Sequence, residues 1–85
     1  MSDLIAQFEA AAAAVQNLSE RPDNDTLLKL YSLYKQGSEG DVQGKRPGFT
    51  NIKGRAKYDA WKQLKGLGKE DAMQQYVDLV TELQG

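Results

Sequence analysis

The 85-residue sequence predicts an all-α fold, four helices around one hydrophobic core. Four segments repeat apolar residues at three-to-four spacing, and none alternates apolar with polar residues as a half-buried strand would. The segments are separated by proline, glycine and Asx-rich stretches, and neither an internal repeat nor a low-complexity linker divides the chain, so residues 1–85 read as a single domain.

The first helix rests on Leu4, Ile5, Phe8, Ala11, Ala12, Val15 and Leu18, with strong helix-forming alanines between them. It is expected to stop near Ser19 to Pro22, where polar residues and a proline interrupt the pattern. Asp23, Asn24 and Asp25 then offer capping side chains ahead of Leu27, Leu28, Leu30, Tyr31, Leu33 and Tyr34, and the second helix is expected to run to about Ser38. At about 100° per residue, Leu27, Tyr31 and Tyr34 share a face with Lys35 at its edge, while Leu30 and Leu33 point elsewhere. A helix with two apolar faces has two things to touch.

From Gly37 to Asn51 the periodicity lapses under Gly40, Gly44, Pro47 and Gly48. A connection of that length predicts a crossing of the bundle in place of a tight hairpin. Ile52, Ala56, Ala60 and Leu64 restore an i, i+4 rhythm for the third helix, joined by Trp61, with Lys53 and Lys57 on a neighbouring line. Gly66 and Gly68 flank a break. Glu70 and Asp71 then open the fourth helix, whose stripe is Ala72, Met73, Tyr76, Val77, Val80 and Leu83.

Composition removes several function classes. There is no cysteine and no histidine, which takes away thiolate nucleophiles, imidazole bases and the commonest zinc ligands. Asp59 and Asp78 are carboxylates without a paired nucleophile or metal cluster, so neither an enzyme nor a metal site is expected. No apolar run approaches the roughly 20 residues of a membrane-spanning helix, and Met1-Ser2-Asp3 lacks the positive start of a secretory signal, which makes a cytoplasmic location the expectation. The formal net charge of −1 is uneven: residues 45–69 hold eight basic residues against the single acid Asp59, a net +7, and the remainder carries −8.

On the second helix Tyr31, Tyr34 and Lys35 stand at i, i+3 and i+4, which places two aromatic rings and an ammonium on one surface. A ring can stack on a base for about 1–3 kcal/mol, and a lysine can donate charge-assisted hydrogen bonds to phosphate worth about 1.5–3 kcal/mol. Each tyrosine alone is more simply a core or boundary side chain, and the lysine stretch a solvated helix face. Two further readings share these residues. The +7 stretch could neutralise nucleic-acid backbone, against which stand the acidic remainder and the lack of a recognition-helix or zinc-finger pattern; the tyrosine face could meet a partner helix.

Tyr31-Ser32-Leu33-Tyr34-Lys35, Gly40-Asp41, Arg46-Pro47-Gly48, Lys57, Asp59-Ala60-Trp61 and Tyr76 occur together at spacings that closely resemble the acyl-CoA-binding protein family, from Phe8 nearly to the C-terminus. The resemblance implies an up-down-down-up bundle in which the long second connection lets helices two and three run parallel. It also implies a monomeric intracellular carrier that binds, buffers and delivers long-chain fatty acyl-CoA without turnover, needing no cofactor, nucleic acid or integral membrane segment. Tyr31, Lys35 and Lys57 would meet the phosphates of the CoA head, Tyr34 the adenine, and Tyr76 would close the site. Lys53 is a secondary phosphate candidate, and Phe8, Ala11 and Ala12 would border the acyl groove. Three positions depart from the family pattern: Gln16 stands where many members have a basic residue, Tyr58 where a tryptophan is frequent, and Gly68 where a serine cap is frequent.

Overall fold

In the computed structural model, which describes residues 3–85, α1 spans Asp3–Ala14, α2 Asn24–Glu39, α3 Ile52–Lys62 and α4 Lys69–Gln84. Met1 and Ser2, where the absence of a signal-peptide start was read, lie outside the described residues. Local chemistry sets most boundaries. Asp23 caps α2 by accepting a 2.8 Å hydrogen bond from the Thr26 N–H, and Asn51 caps α3 by accepting a 3.0 Å bond from the Gly54 N–H. Gly40 ends α2 at φ 86°, a conformation that costs glycine little, and its N–H returns to the Gln36 carbonyl at 3.0 Å.

The end of α1 differs from the sequence expectation. Regular helix stops at Ala14, and Val15–Asn17 form a single 3-10 turn before Leu18 becomes extended. The periodicity does not register this change, because a 3-10 turn keeps the i, i+3 apolar spacing. The Asn17 side chain also donates to the Ala13 carbonyl at 3.5 Å, a local bond that competes with continued helix.

The buried centre joins Phe8 and Ala11 of α1, Leu30 and Leu33 of α2, and Ala72, Tyr76 and Val80 of α4. Each of the larger side chains stabilises by about 1.5–3 kcal/mol on leaving water. Gly37 allows α2 to come close to both neighbours: a Cβ there would lie 3.1 Å from Met73 and 3.1 Å from Phe8. The pairings Gly37 with Met73 and Tyr34 with Tyr76 descend one helix as they ascend the other, so α2 and α4 are antiparallel. Leu4 and Ile5 lie by the start of α4 and Asn17 by its end, so α1 and α4 are parallel.

α3 is different. It has no fully buried residue and packs chiefly on α2, on the side away from α1. That is the second contact implied by the two apolar faces of α2. Lys57 pairs with Tyr31 and Lys35 with Trp61, advancing together along both helices, so α2 and α3 run parallel. The path is therefore up-down-down-up. Ile52, the first member of the i, i+4 rhythm, is 76% exposed: at the start of α3 it stands on the rim of the gap between α2 and α3, and the row is half-buried only from Ala56 onward.

The long connection is ordered by side chains. Gln36, fully buried, donates to the Asp41 carboxylate at 2.9 Å and to the Leu67 carbonyl at 2.8 Å. Asp41 also accepts from the Gly66 N–H at 2.9 Å, and the Trp61 indole donates to the Gly40 carbonyl at 2.8 Å. Further along, Arg46 grips Asp59 through two bonds of 2.9 and 2.7 Å, and the Tyr58 hydroxyl donates to the Gly44 carbonyl at 3.1 Å. Gly40-Asp41, Arg46 and Asp59-Ala60-Trp61 thus hold the crossover against α3, which places Lys57 and Lys35 opposite one another's aromatic partners. Among the described residues no helix is long and apolar enough to cross a membrane.

Candidate functional site

Three aromatic residues from three helices meet beside the core. The Phe8 ring stacks on Tyr34 at 5.2 Å between centroids and meets Tyr76 edge-on at 5.2 Å, while Tyr34 and Tyr76 stand 5.8 Å apart. Such pairs contribute about 0.5–1.5 kcal/mol each beyond area burial, so the cluster holds its shape before any ligand arrives. Exposure separates the roles. Phe8 and Tyr76 are buried, whereas Tyr34 is 41% exposed and offers a ring edge and face to solvent. Burial pushes the Tyr76 hydroxyl above its ordinary pKa, with Tyr34 adding to the effect, so it remains a neutral donor.

Above this floor runs a furrow of about 420 Å³ lined by Ala12, Val15, Gln16, Leu27 and the three tyrosines Tyr31, Tyr34 and Tyr76. A second furrow of about 370 Å³ lies between α2 and α3, lined by Leu27, Leu28, Ile52 and Ala56 with Tyr31, Lys53, Lys57 and Arg21. Leu27 and Tyr31 line both, so the two are neighbours on either side of one helical ridge. Each falls in the size range of small-ligand pockets, and both are lined mainly by apolar surface, the first walled by tyrosines and the second rimmed by cations.

The cations belong to opposite helices. Lys57 of α3 holds its ammonium 5.3 Å from the Tyr31 ring centre, and Lys35 of α2 holds its ammonium 5.1 Å from the Trp61 ring centre. Lys35 also pairs with Glu39, which raises its pKa and keeps it charged. Cation–π contacts at such sites are worth about 0.5–1 kcal/mol, little enough for a phosphate to draw either ammonium away.

The tertiary structure brings Tyr31, Tyr34 and Tyr76 into one furrow and Lys57 and Lys53 to the rim of its neighbour. Lys35 sits one helical turn along from Tyr31, over Trp61. Among the residues expected beside the acyl chain, Ala12 lines the tyrosine furrow and, with Phe8, Tyr34 and Met73, a further furrow of about 460 Å³ along α1, while Ala11 is 7% exposed and belongs to the core. The sequence reading assigned no ligand surface to Trp61, Leu27, Leu28, Ile52 or Ala56. A signal existed for Trp61, which follows Lys57 by one turn on the same face of α3; the apolar furrow required knowledge that α3 lies along α2. Gln16 lines the tyrosine furrow.

Residues 5–80 match the model of the Acyl CoA binding protein family. Acyl-CoA-binding protein homolog 1 of Caenorhabditis elegans is 53% identical over 76 residues, covering 89% of this chain and 88% of the relative. The acyl-CoA-binding protein of Dictyostelium discoideum is 47% identical over 76 residues, covering 89% and 90%. Among solved structures, acyl-CoA-binding protein 2 of Oryza sativa superposes with a TM-score of 0.91 at 42% identity, covering 95% of this chain and 88% of that one. The matched range runs from the first turns of α1 to the last turns of α4 and contains every residue of both furrows, so the chain belongs to the acyl-CoA-binding protein family.

Proposed function

We propose that this protein binds medium- and long-chain fatty acyl-CoA thioesters and carries them without chemical turnover, as a monomer in the cytoplasm. Such a ligand joins a phosphorylated nucleotide to a hydrocarbon chain, and a carrier has to satisfy both. The observation that carries the reading is the pair of adjoining, mainly apolar furrows, one walled by three tyrosines and one rimmed by cations, with lysines from two helices beside them.

In this reading the adenine rests against Tyr34 and Ala12, with Tyr76 closing the furrow from α4. Lys35, Lys57 and the Tyr31 hydroxyl take the phosphates, and Lys53 stands as a further cation at the rim. The acyl chain passes the Leu27–Tyr31 ridge into the furrow between α2 and α3. Phe8 and Ala11 support the nucleotide furrow from below. The polar groups lining the two furrows are phenols, amides and cations, which suit holding an anion and do not supply a nucleophile with its base.

Burying ten methylenes at about 0.8 kcal/mol each supplies about 8 kcal/mol before the cost of ordering the chain. Calorimetry with free CoA, palmitoyl-CoA and palmitate tests the division of labour. The expected order is tight binding of palmitoyl-CoA, weaker binding of CoA and little binding of palmitate. Equal affinity for CoA and palmitoyl-CoA would overturn the placement of the chain.

A further inference from the structure

Phe49 is 79% exposed and Ile52 76% exposed, the two most exposed bulky apolar side chains of the described residues, and they stand three residues apart where the crossover ends and α3 begins. The turn between them is fixed: the Asn51 N–H donates to the Gly48 carbonyl at 2.9 Å and the Asn51 side chain caps α3. Neither side chain is left outside by disorder. The backbone that presents them is hydrogen-bonded, so their exposure is built into the fold.

Their surroundings carry one sign of charge. Residues 45–57 contain Lys45, Arg46, Lys53, Arg55 and Lys57 and no acid. Asp59 is committed to Arg46 and Asp23 to the first turn of α2, and among the described residues no ion pair reaches Lys45, Lys53, Arg55 or Lys57. Arg21, from the α1–α2 connection, joins Ile52, Lys53 and Lys57 at the mouth of the apolar furrow. Two exposed apolar side chains in a stretch whose charges are all basic match an anionic bilayer surface, where hydrocarbon takes the side chains and phosphate headgroups take the charge.

We propose that the tip formed by Phe49 and Ile52 is a reversible docking site for anionic lipid bilayers, with Lys45, Lys53 and Lys57 against the headgroups. Docking there presents the mouth of the α2–α3 furrow to the bilayer face. The proposal goes beyond ligand binding and stands on exposure and charge, whatever occupies the furrows.

Co-sedimentation of the full chain, without added ligand, with vesicles of phosphatidylcholine alone and of phosphatidylcholine with one third phosphatidylserine tests it. Partitioning onto the mixed vesicles is expected to exceed that onto phosphatidylcholine at least tenfold and to fall as salt rises. Phe49→Ala is expected to lower it about tenfold, since a phenyl ring leaves the interface. Lys45→Gln is expected to lower it about fivefold. Neither residue lines a furrow, so palmitoyl-CoA affinity in free solution is expected to stay unchanged in both variants, and a chain that fails to bind acyl-CoA at all fails separately from this test. Equal partitioning onto both vesicle types would overturn the proposal. So would Phe49→Ala binding like the unsubstituted chain while Lys45→Gln binds less, a pattern that assigns the attraction to charge alone.

Discussion

Lys57 on α3 stands 5.3 Å from the ring of Tyr31 on α2, and one turn further along both helices Lys35 of α2 stands 5.1 Å from the ring of Trp61 on α3. Each helix lends its lysine to the other's aromatic ring. The exchange requires the two helices to be parallel and in this register, and it places two ammoniums at neighbouring levels along the α2–α3 contact.

Lys35→Ala and Lys57→Ala are each expected to weaken CoA binding by about 1.5–3 kcal/mol, roughly 10- to 150-fold in Kd, with the helical circular dichroism unchanged. Ligand addition is expected to change the fluorescence of Trp61, the sole tryptophan, as Lys35 leaves its ring. A loss of helicity in either variant would instead assign that lysine to the fold.

Gln36→Ala is expected to destabilise the protein by about 2–3 kcal/mol, read as a lower urea midpoint. The side chain is fully buried and its amide joins Asp41, at the start of the crossover, to the Leu67 carbonyl in the α3–α4 turn. Its own Oε1 finds no partner, so the cost arises from the two bonds it donates and the space it fills.

Gly68→Ser is expected to stabilise by about 0.5–1 kcal/mol. Gly68 is the residue before α4, in an extended conformation any residue adopts, and no side chain caps the helix there. A Cβ would meet only Asp71 Oδ2, at an ordinary 3.6 Å. The serine oxygen gains a first-turn N–H to accept from, and the unfolded chain loses freedom. An unchanged thermal midpoint would contradict this.

Acid is expected to lower stability from about pH 4 downward. Hydrogen bonds from Thr26 hold the Asp23 carboxyl below the usual carboxylate range, the Gly66 N–H followed by Gln36 does so for Asp41, and Arg46 does so for Asp59. A carboxyl whose pKa is lower in the folded state contributes its full stability above the unfolded value and loses it as pH falls through the folded value. Thermal midpoints should therefore be level between about pH 5 and 8 and fall below about 4. Asp59→Asn should make the acid decline shallower.

Much of the fold was legible because its signals are local. Three-to-four spacing of apolar residues marks four helices, Asp23 caps by reaching three residues ahead, and Gly40 ends a helix by tolerating φ 86°. The two apolar faces of α2 announced that it would touch something on both sides. The grouping of Tyr31, Tyr34 and Lys35 on one surface follows from helical geometry alone. The early end of α1 was not legible, since a 3-10 turn carries the same apolar spacing as the helix it closes.

The tertiary structure decided what those surfaces face. Ile52 belongs to a helical rhythm yet lies 76% exposed, Phe8 and Ala11 are buried in the core, and Trp61 receives the charge of a lysine twenty-six residues earlier in the chain. Periodicity gives each side chain an angle about its own axis, and only packing sets where one axis lies against another. The bonds that settle α3 beside α2, from Gln36, Asp41, Arg46 and Trp61, join residues far apart in sequence. For that reason the helices could be read from the chain, whereas the apolar furrow between α2 and α3 could not.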